Sequence, residues 1–203
     1  MAEAGGYAAV LSLAGLVELA CFANLLAAGV ALVTWASYVL AYTPLKRVTA
    51  LNTLVGAVPG ALPPVIGWAA VRGSIGPEAW ALFLIVFLWQ FPHFLAIAWI
   101  HRADYRRAGL KMLSGADESG AASGRQMVAY ALALVPVSLL PSAMGLAGTA
   151  YFLGALVAGL AFVAVAARFM MSATGDNARR VLGMSLVHLP LVMALLLLDY
   201  VRF

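Results

Sequence analysis

Three features of this sequence predict an all-α fold, a polytopic transmembrane helical bundle of about seven helices. Hydrophobic residues make up 65% of the 203-residue chain and charged residues only 10%, against about 25% charged in soluble domains. The apolar residues fall in runs near the roughly 20 residues that cross a bilayer core. The basic residues gather at alternate ends of those runs. No repeat, low-complexity tract or linker divides the chain, so one domain over residues 1–203 is the simplest organisation.

The runs are 8–23, 27–42, 52–71, 78–100, 125–142, 149–168 and 181–200. The first two are short and can also be read as one long segment. Glu18 lies in the first; a central acid costs about 3 kcal/mol on insertion scales, so it should face other helices or sit protonated. Met-Ala-Glu-Ala-Gly-Gly precedes that run without a basic region, so no secretory signal is expected. The second run ends at Tyr42, an interfacial aromatic. The third holds Gly56, Pro59, Gly60, Pro63, Pro64 and Gly67. Prolines inside a helix remove hydrogen bonds and bend or break it, and such breaks are tolerated where backbone is buried in protein or lines a cavity. A packing kink and a substrate wall explain them equally.

The fourth run carries Gln90 and His93 deep in an apolar span. Helical spacing sets Gln90, His93, Ile97 and His101 along one face that leads to Asp104. Polar groups at that depth face the bundle interior or a cavity. His93 fits either an iron ligand or a hydrogen-bond partner. The last three runs carry basic residues at their ends, Arg125, Arg168, Arg179 and Arg180.

Alternating the loops puts ten of the twelve Lys and Arg residues on one side and only Arg72 and Arg202 on the other. The positive-inside rule makes the ten-residue side cytoplasmic. The N-terminus is then inside and the C-terminus outside. The net charge of +4 is an orientation signal, and no nucleic-acid partner is expected. A single cysteine, Cys21, excludes an intrachain disulfide and a cysteine-based metal site.

Two segments on the basic side carry the chemistry. In Tyr42-Thr-Pro-Leu-Lys-Arg-Val-Thr-Ala-Leu-Asn52, the pair Lys46 and Arg47 sits among Tyr42, Thr43, Thr49 and Asn52. An anchor at the membrane surface accounts for the two cations and the tyrosine. It leaves the hydroxyls and Asn52 unexplained, whereas a diphosphate wants Lys, Arg and hydroxyl donors together. A helix starting near Asn52 adds backbone N–H groups. In His101-Arg-Ala-Asp-Tyr-Arg-Arg-Ala-Gly109, Asp104 is flanked by Arg102, Tyr105, Arg106 and Arg107. A solvated basic loop with one compensating acid is one reading. In the other, Asp104 binds Mg²⁺, which takes one or two carboxylates plus phosphate oxygens, and the arginines neutralise a departing diphosphate.

Four ordered motifs resemble the haem O synthase (protohaem IX farnesyltransferase) family, of the membrane-embedded prenyltransferase superfamily. They are Tyr42-Thr-Pro-Leu-Lys-Arg-x-Thr-x-x-Asn-Thr53, Pro59-Gly-Ala-x-Pro-Pro-x-x-Gly-Trp68, Trp89-Gln-x-Pro-His-Phe94 and Asp104-Tyr-x-Arg-Ala-Gly-x-x-Met-Leu113. The resemblance covers essentially the whole chain, to Leu-Asp199. It implies farnesyl transfer from farnesyl diphosphate to a vinyl group of haem B, with Mg²⁺ as cofactor, for haem-copper oxidase biogenesis. It further implies Asp104, Lys46 and Arg47 as catalytic residues, with Asp104 also the metal ligand. Substrate binding falls to Tyr42, Thr43, Asn52, Gln90, His93, Arg102, Tyr105 and Arg107.

The implied setting is the bacterial inner membrane with its active face cytoplasmic, lipid around it, and haem A synthase or a terminal oxidase as assembly partner. The family's Asn- and Asp-rich run has no counterpart here, so the chain is expected to hold about seven helices of a nine-helix prenyltransferase fold, its C-terminal two-thirds. Two other readings stay open: a prenyltransferase with a quinone or chlorin acceptor, and a non-catalytic haem-binding membrane protein.

Overall fold

A computed structural model describes residues 2–46, 48–49, 51–109 and 117–201. Among the described residues, seven helical spans long and apolar enough to cross a membrane follow one another, at Gly5–Phe22, Leu25–Leu45, Asn52–Arg72, Pro77–Ile100, Ala121–Ala143, Thr149–Met171 and Gly175–Leu198. No strand occurs among the described residues, only an isolated bridge between Ala147 and Tyr200.

Helices α1 (Ala2–Phe22) and α2 (Leu25–Ala36) are separate because Asn24 ends one and begins the other. Its Oδ1 accepts from the Ala27 N–H at 2.9 Å, the role expected of an N-cap. Its Nδ2 donates to the Ala69 carbonyl at 2.8 Å, which ties the turn to the third span. The second span continues through a π-helical turn, Ser37–Tyr42, into α3 (Thr43–Leu45). The third breaks at Leu62, as its prolines predict, into α4 (Asn52–Ala61) and α5 (Pro63–Arg72). Helix α5 ends where Gly73 takes a left-handed φ of 66°.

Helix α6 (Pro77–Ile100) is the central post. It leads into α7 (Arg102–Arg107), a short helix in a stretch expected to be a loop. Helices α8 (Ala121–Ser138), α9 (Leu140–Ala143), α10 (Thr149–Met171) and α11 (Gly175–Leu198) complete the chain. The last span begins earlier than the hydropathy pattern suggests. Thr174 caps it through the Asn177 N–H, and Asp176 pairs with Arg179 in its first turn.

Helices α6, α8, α10 and α11 pack around Ile85, Trp99, Met127, Leu134, Phe162 and Phe169, all essentially buried. Lipid is as apolar as these side chains, so close van der Waals packing and interhelical hydrogen bonds must hold the helices together. Small residues allow the approach: Ala131, Ala155, Ala166 and Ala178 are fully buried. A Cβ on Gly124 would lie 2.8 Å from the Met170 Cα. Trp89 Nε1 donates to the Ser185 carbonyl and Tyr151 Oη to the Ser138 carbonyl, at 2.8 and 2.7 Å. At the far end Asp199 Oδ2 accepts from the Tyr151 N–H at 2.7 Å in the first turn of α10.

Candidate functional site

A cavity of about 610 Å³ lies between the second and third spans on one side and α6 with α7 on the other. Tyr42, Asn52, Thr53 and Tyr105 line it at the end that carries the basic residues. Trp35, Pro59, Phe94, Ile97 and Ile66 make the remainder mostly apolar. A polar mouth over a greasy interior suits an amphiphile with a charged head.

Each wall has a local cause. Pro63 and Pro64 force the break at Leu62 that divides α4 from α5. The π-helical turn puts Tyr38 and Tyr42 on one patch, their ring centroids 5.1 Å apart. Single π turns within α-helices often mark functional sites. The Tyr42 ring fits flat against α4 because residue 56 is glycine: a Cβ there would come within 2.6 Å of the ring. At Asn52, only 1% exposed, Nδ2 donates to the Thr49 carbonyl at 2.7 Å.

Four of the residues expected at a site line this cavity: Tyr42, Asn52, Gln90 and Tyr105. Gln90 is 4% exposed, and its Nε2 donates to the Ala57 carbonyl and the Val86 carbonyl, each at 3.2 Å. Lys46 follows one turn after Tyr42, its N–H bonded to the Tyr42 carbonyl at 3.1 Å, and is half-buried at the mouth end. Arg47 lies outside the described residues.

The others are placed differently. Thr43 is exposed, and its hydroxyl donates to the Tyr38 carbonyl at 3.0 Å rather than facing the cavity. Hydroxyls in helices often bond back to their own backbone in this way. His93 turns toward α11 instead of lining the cavity beside Gln90: its Nδ1 is 2.8 Å from Ser185 Oγ, and its ring stacks on Trp89. The single Ser185 proton is directed at the Leu182 carbonyl, 2.6 Å away, which makes His93 Nδ1 the donor to Ser185. Arg102 lies over the Trp99 ring at 4.3 Å.

Asp104 is exposed at the rim, where it pairs with Arg107 and approaches His101 Nδ1 at 3.6 Å. The Arg107 guanidinium beside it holds its carboxyl below the usual carboxylate range, with His101 assisting. Helix α7 thus turns Tyr105 inward and Asp104 outward. Among the described residues no group of three His, Cys, Asp or Glu side chains is placed to hold a metal ion.

Gly60 lines the cavity, as the substrate-wall reading of the third run expected; Trp35, Tyr38, Thr53 and Phe94 also line it, and sequence reasoning had given them no place at a site. Trp35, Tyr38 and Tyr42 recur at helical spacing, the one signal that pointed to them. Glu18 faces a separate hollow of about 520 Å³ between α1 and α2.

Comparison with known proteins gives this arrangement a family. The UbiA prenyltransferase family model matches residues 1–189. The protoheme IX farnesyltransferase of Solibacter usitatus is 49% identical over 193 residues, which cover 95% of this chain and 66% of that protein. The protein of the same name from Koribacter versatilis is 44% identical over 197 residues, covering 94% and 64%. This chain therefore spans about two-thirds of the length of the curated relatives it matches. A solved chain from work on digeranylgeranylglyceryl phosphate synthase in membranes superposes with a TM-score of 0.79 at 18% identity, over 97% of this chain and 69% of that one. That likeness speaks to the fold, a membrane prenyltransferase bundle. The chain belongs to the UbiA prenyltransferase family.

Proposed function

We propose that this chain takes part in farnesyl transfer from farnesyl diphosphate to a vinyl group of haem B, giving haem O and diphosphate. The observation that carries the proposal is the amphiphilic cavity, with Tyr42, Asn52, Thr53 and Tyr105 at its polar end, Lys46 one turn on from Tyr42, and aromatic and aliphatic side chains beyond. The names and identities of the relatives supply the substrates.

In this reading the diphosphate lies at the Lys46 end and the farnesyl chain runs inward between Trp35, Phe94 and Ile97. Lys46 and Arg47 stabilise negative charge as the C1–oxygen bond of the allylic diphosphate lengthens. The electron pair of that bond leaves with diphosphate. The vinyl π bond of haem then attacks C1, and water adds to the resulting cation with loss of a proton, which gives the hydroxyethylfarnesyl group. Apolar walls exclude bulk water from the allylic cation before the vinyl group reaches it. Tyr105, carried by α7, closes over the mouth side of the cavity.

Asp104 is the residue that would hold Mg²⁺, which takes one or two carboxylates plus substrate phosphate oxygens; it would do so by leaving its pairing with Arg107 at the rim. When bound, the ion would add positive charge beside the leaving group. Asp104 already sits among cations at the rim, the region where a diphosphate would arrive. In this reading the active face is cytoplasmic, supported by the Lys/Arg asymmetry, and the membrane is the bacterial inner membrane, the setting the family resemblance implies. Haem A synthase or a terminal oxidase is the assembly partner this reading implies.

The test is diphosphate release and haem O formation in membranes supplied with farnesyl diphosphate, haem B and Mg²⁺. Release that depends on haem supports transfer; haem binding without release would mark a carrier. Orientation is read by labelling cysteines placed at positions 112 and 75 in intact cells, after replacing Cys21. Labelling at 75 alone from outside fits the proposed face, and the reverse pattern refutes it.

A further inference from the structure

We propose that the contact between Gln90 and Gly60 sets the length of prenyl chain that the cavity accepts, an inference that rests on the prenyl-transfer reading above. Both amide hydrogens of Gln90 are committed, one to the Ala57 carbonyl on α4 and one to the Val86 carbonyl on its own helix. The amide plane is therefore fixed, and Oε1 is directed onto α4 at Gly60. A Cβ on Gly60 would collide with that oxygen, so only glycine leaves it room. Gln90 and Gly60 form a polar seam where the α4 and α6 walls meet in a mostly apolar passage; Thr34, which lines it at a similar depth, turns its hydroxyl to the Val30 carbonyl.

Depth gives the seam its meaning. Gly60 is eight residues beyond Asn52, and Gln90 is ten residues before Ile100. At 1.5 Å per residue, both lie about 12–15 Å inside the mouth end. An extended farnesyl chain whose diphosphate rests at the mouth is of that length, so its last isoprene unit ends beside the amide. Beyond the seam, Ile66 and Ala31 continue the lining. A longer chain reaches that space only by pressing apolar carbon against a buried amide whose hydrogen bonds hold it in place. A shorter chain leaves the seam uncovered. The amide thus measures the donor without touching the reacting carbon, which makes Gln90 a specificity-determining residue.

The test compares geranyl, farnesyl and geranylgeranyl diphosphates as competing donors, by kcat/KM in membranes. Gln90→Ala should raise the geranylgeranyl-to-farnesyl ratio about tenfold or more, the size of effect that a change of fit in an apolar pocket produces. Gly60→Ala drives the amide into the passage and should shift preference toward geranyl by a similar factor. The double variant Gly60→Ala/Gln90→Ala should move back toward farnesyl, because the new methyl group occupies space the amide vacated. Donor ratios that stay unchanged, or rates that fall equally for all donors, overturn the inference. If Gly60→Ala does not accumulate, Gln90→Ala and Gln90→Leu carry the test alone. If the wild-type protein transfers no prenyl group to haem, the function reading fails. Titration with thiolodiphosphate analogues of the same three donors then decides the length preference by binding, and equal affinities in wild type and Gln90→Ala overturn it.

Discussion

Ten residues of Pro77–Ile100 are buried inside the protein, whereas none of Gly5–Phe22 is. The C-terminal four-helix group is closely packed, with glycine and alanine at its contacts; α1 rests mainly on α2 and turns most of its surface outward. The cavity lies along the seam between these regions, with α2, α4 and α5 on the thin side and α6 on the dense side. Helix α6 packs against the dense group, and Gln90 on it is further held by hydrogen bonds to the Ala57 and Val86 carbonyls. The thinner side carries the proline break and the π-helical turn, the features that leave space. Rigidity and room come from different parts of the chain.

The largest effect should separate two sets of basic residues at the same end of the bundle. Lys46→Ala, Arg47→Ala or Asp104→Asn should each lower turnover about 10²-fold or more, comparable to losing one contact to transition-state charge. Arg179→Ala, on the dense side and paired with Asp176, should leave turnover near wild type. Steady-state rates in membranes at matched expression decide it. Equal behaviour of the two sets would make Lys46 and Arg47 orientation signals only.

Packing can be contrasted with two glycines. Gly124→Ala puts a methyl group 2.8 Å from the Met170 Cα, a backbone atom that cannot step aside. Overpacking of this kind costs about 1–3 kcal/mol. Gly15→Ala meets nothing within 4 Å and should be nearly neutral. Thermal unfolding in detergent should show a clear drop for the first only. A smaller effect, about 1 kcal/mol, is expected for Asp199→Asn, which weakens the carboxylate that caps α10.

The same contrast governs what could be read from the sequence. The seven spans were legible because a bilayer demands long apolar runs, and the break in the third because its prolines cannot donate hydrogen bonds. Gln90 was legible because a polar amide in lipid must face inward. His93 was not, although it shares a helix face with Gln90 on paper. Three residues on along a helix falls about 60° short of a full turn, enough to turn it from the cavity to Ser185. Trp35 and Tyr38 stood in a helix that is apolar all round, where their helical spacing to Tyr42 does not by itself mark an inner face. The π-helical turn that groups Tyr38 with Tyr42 depends on packing against α4, and the pairing of Gly60 with Gln90 joins residues thirty apart. Neither leaves a local signal.

The smallest predicted effect concerns the entry to the dense group. Burial disfavours the charged form of Asp117, yet hydrogen bonds from the Ser123 and Ala122 backbone and from Ser119 together outweigh it and hold the carboxyl below its ordinary range. Oδ2 accepts from the Ser123 N–H at 2.7 Å, in the first turn of α8. A depressed folded-state value means that the stabilisation is complete above the unfolded-state pKa, about 3.9. It is lost as pH falls through the lower folded-state value. The unfolding midpoint in detergent should therefore carry the full Asp117 contribution between pH 5 and 8, with no pH dependence from this group there, and should decline below about pH 4. Asp117→Asn should lower the midpoint slightly at neutral pH and remove part of that acid decline. An equally steep acid decline in the variant would assign it to other carboxylates and leave Asp117 with no part in anchoring α8.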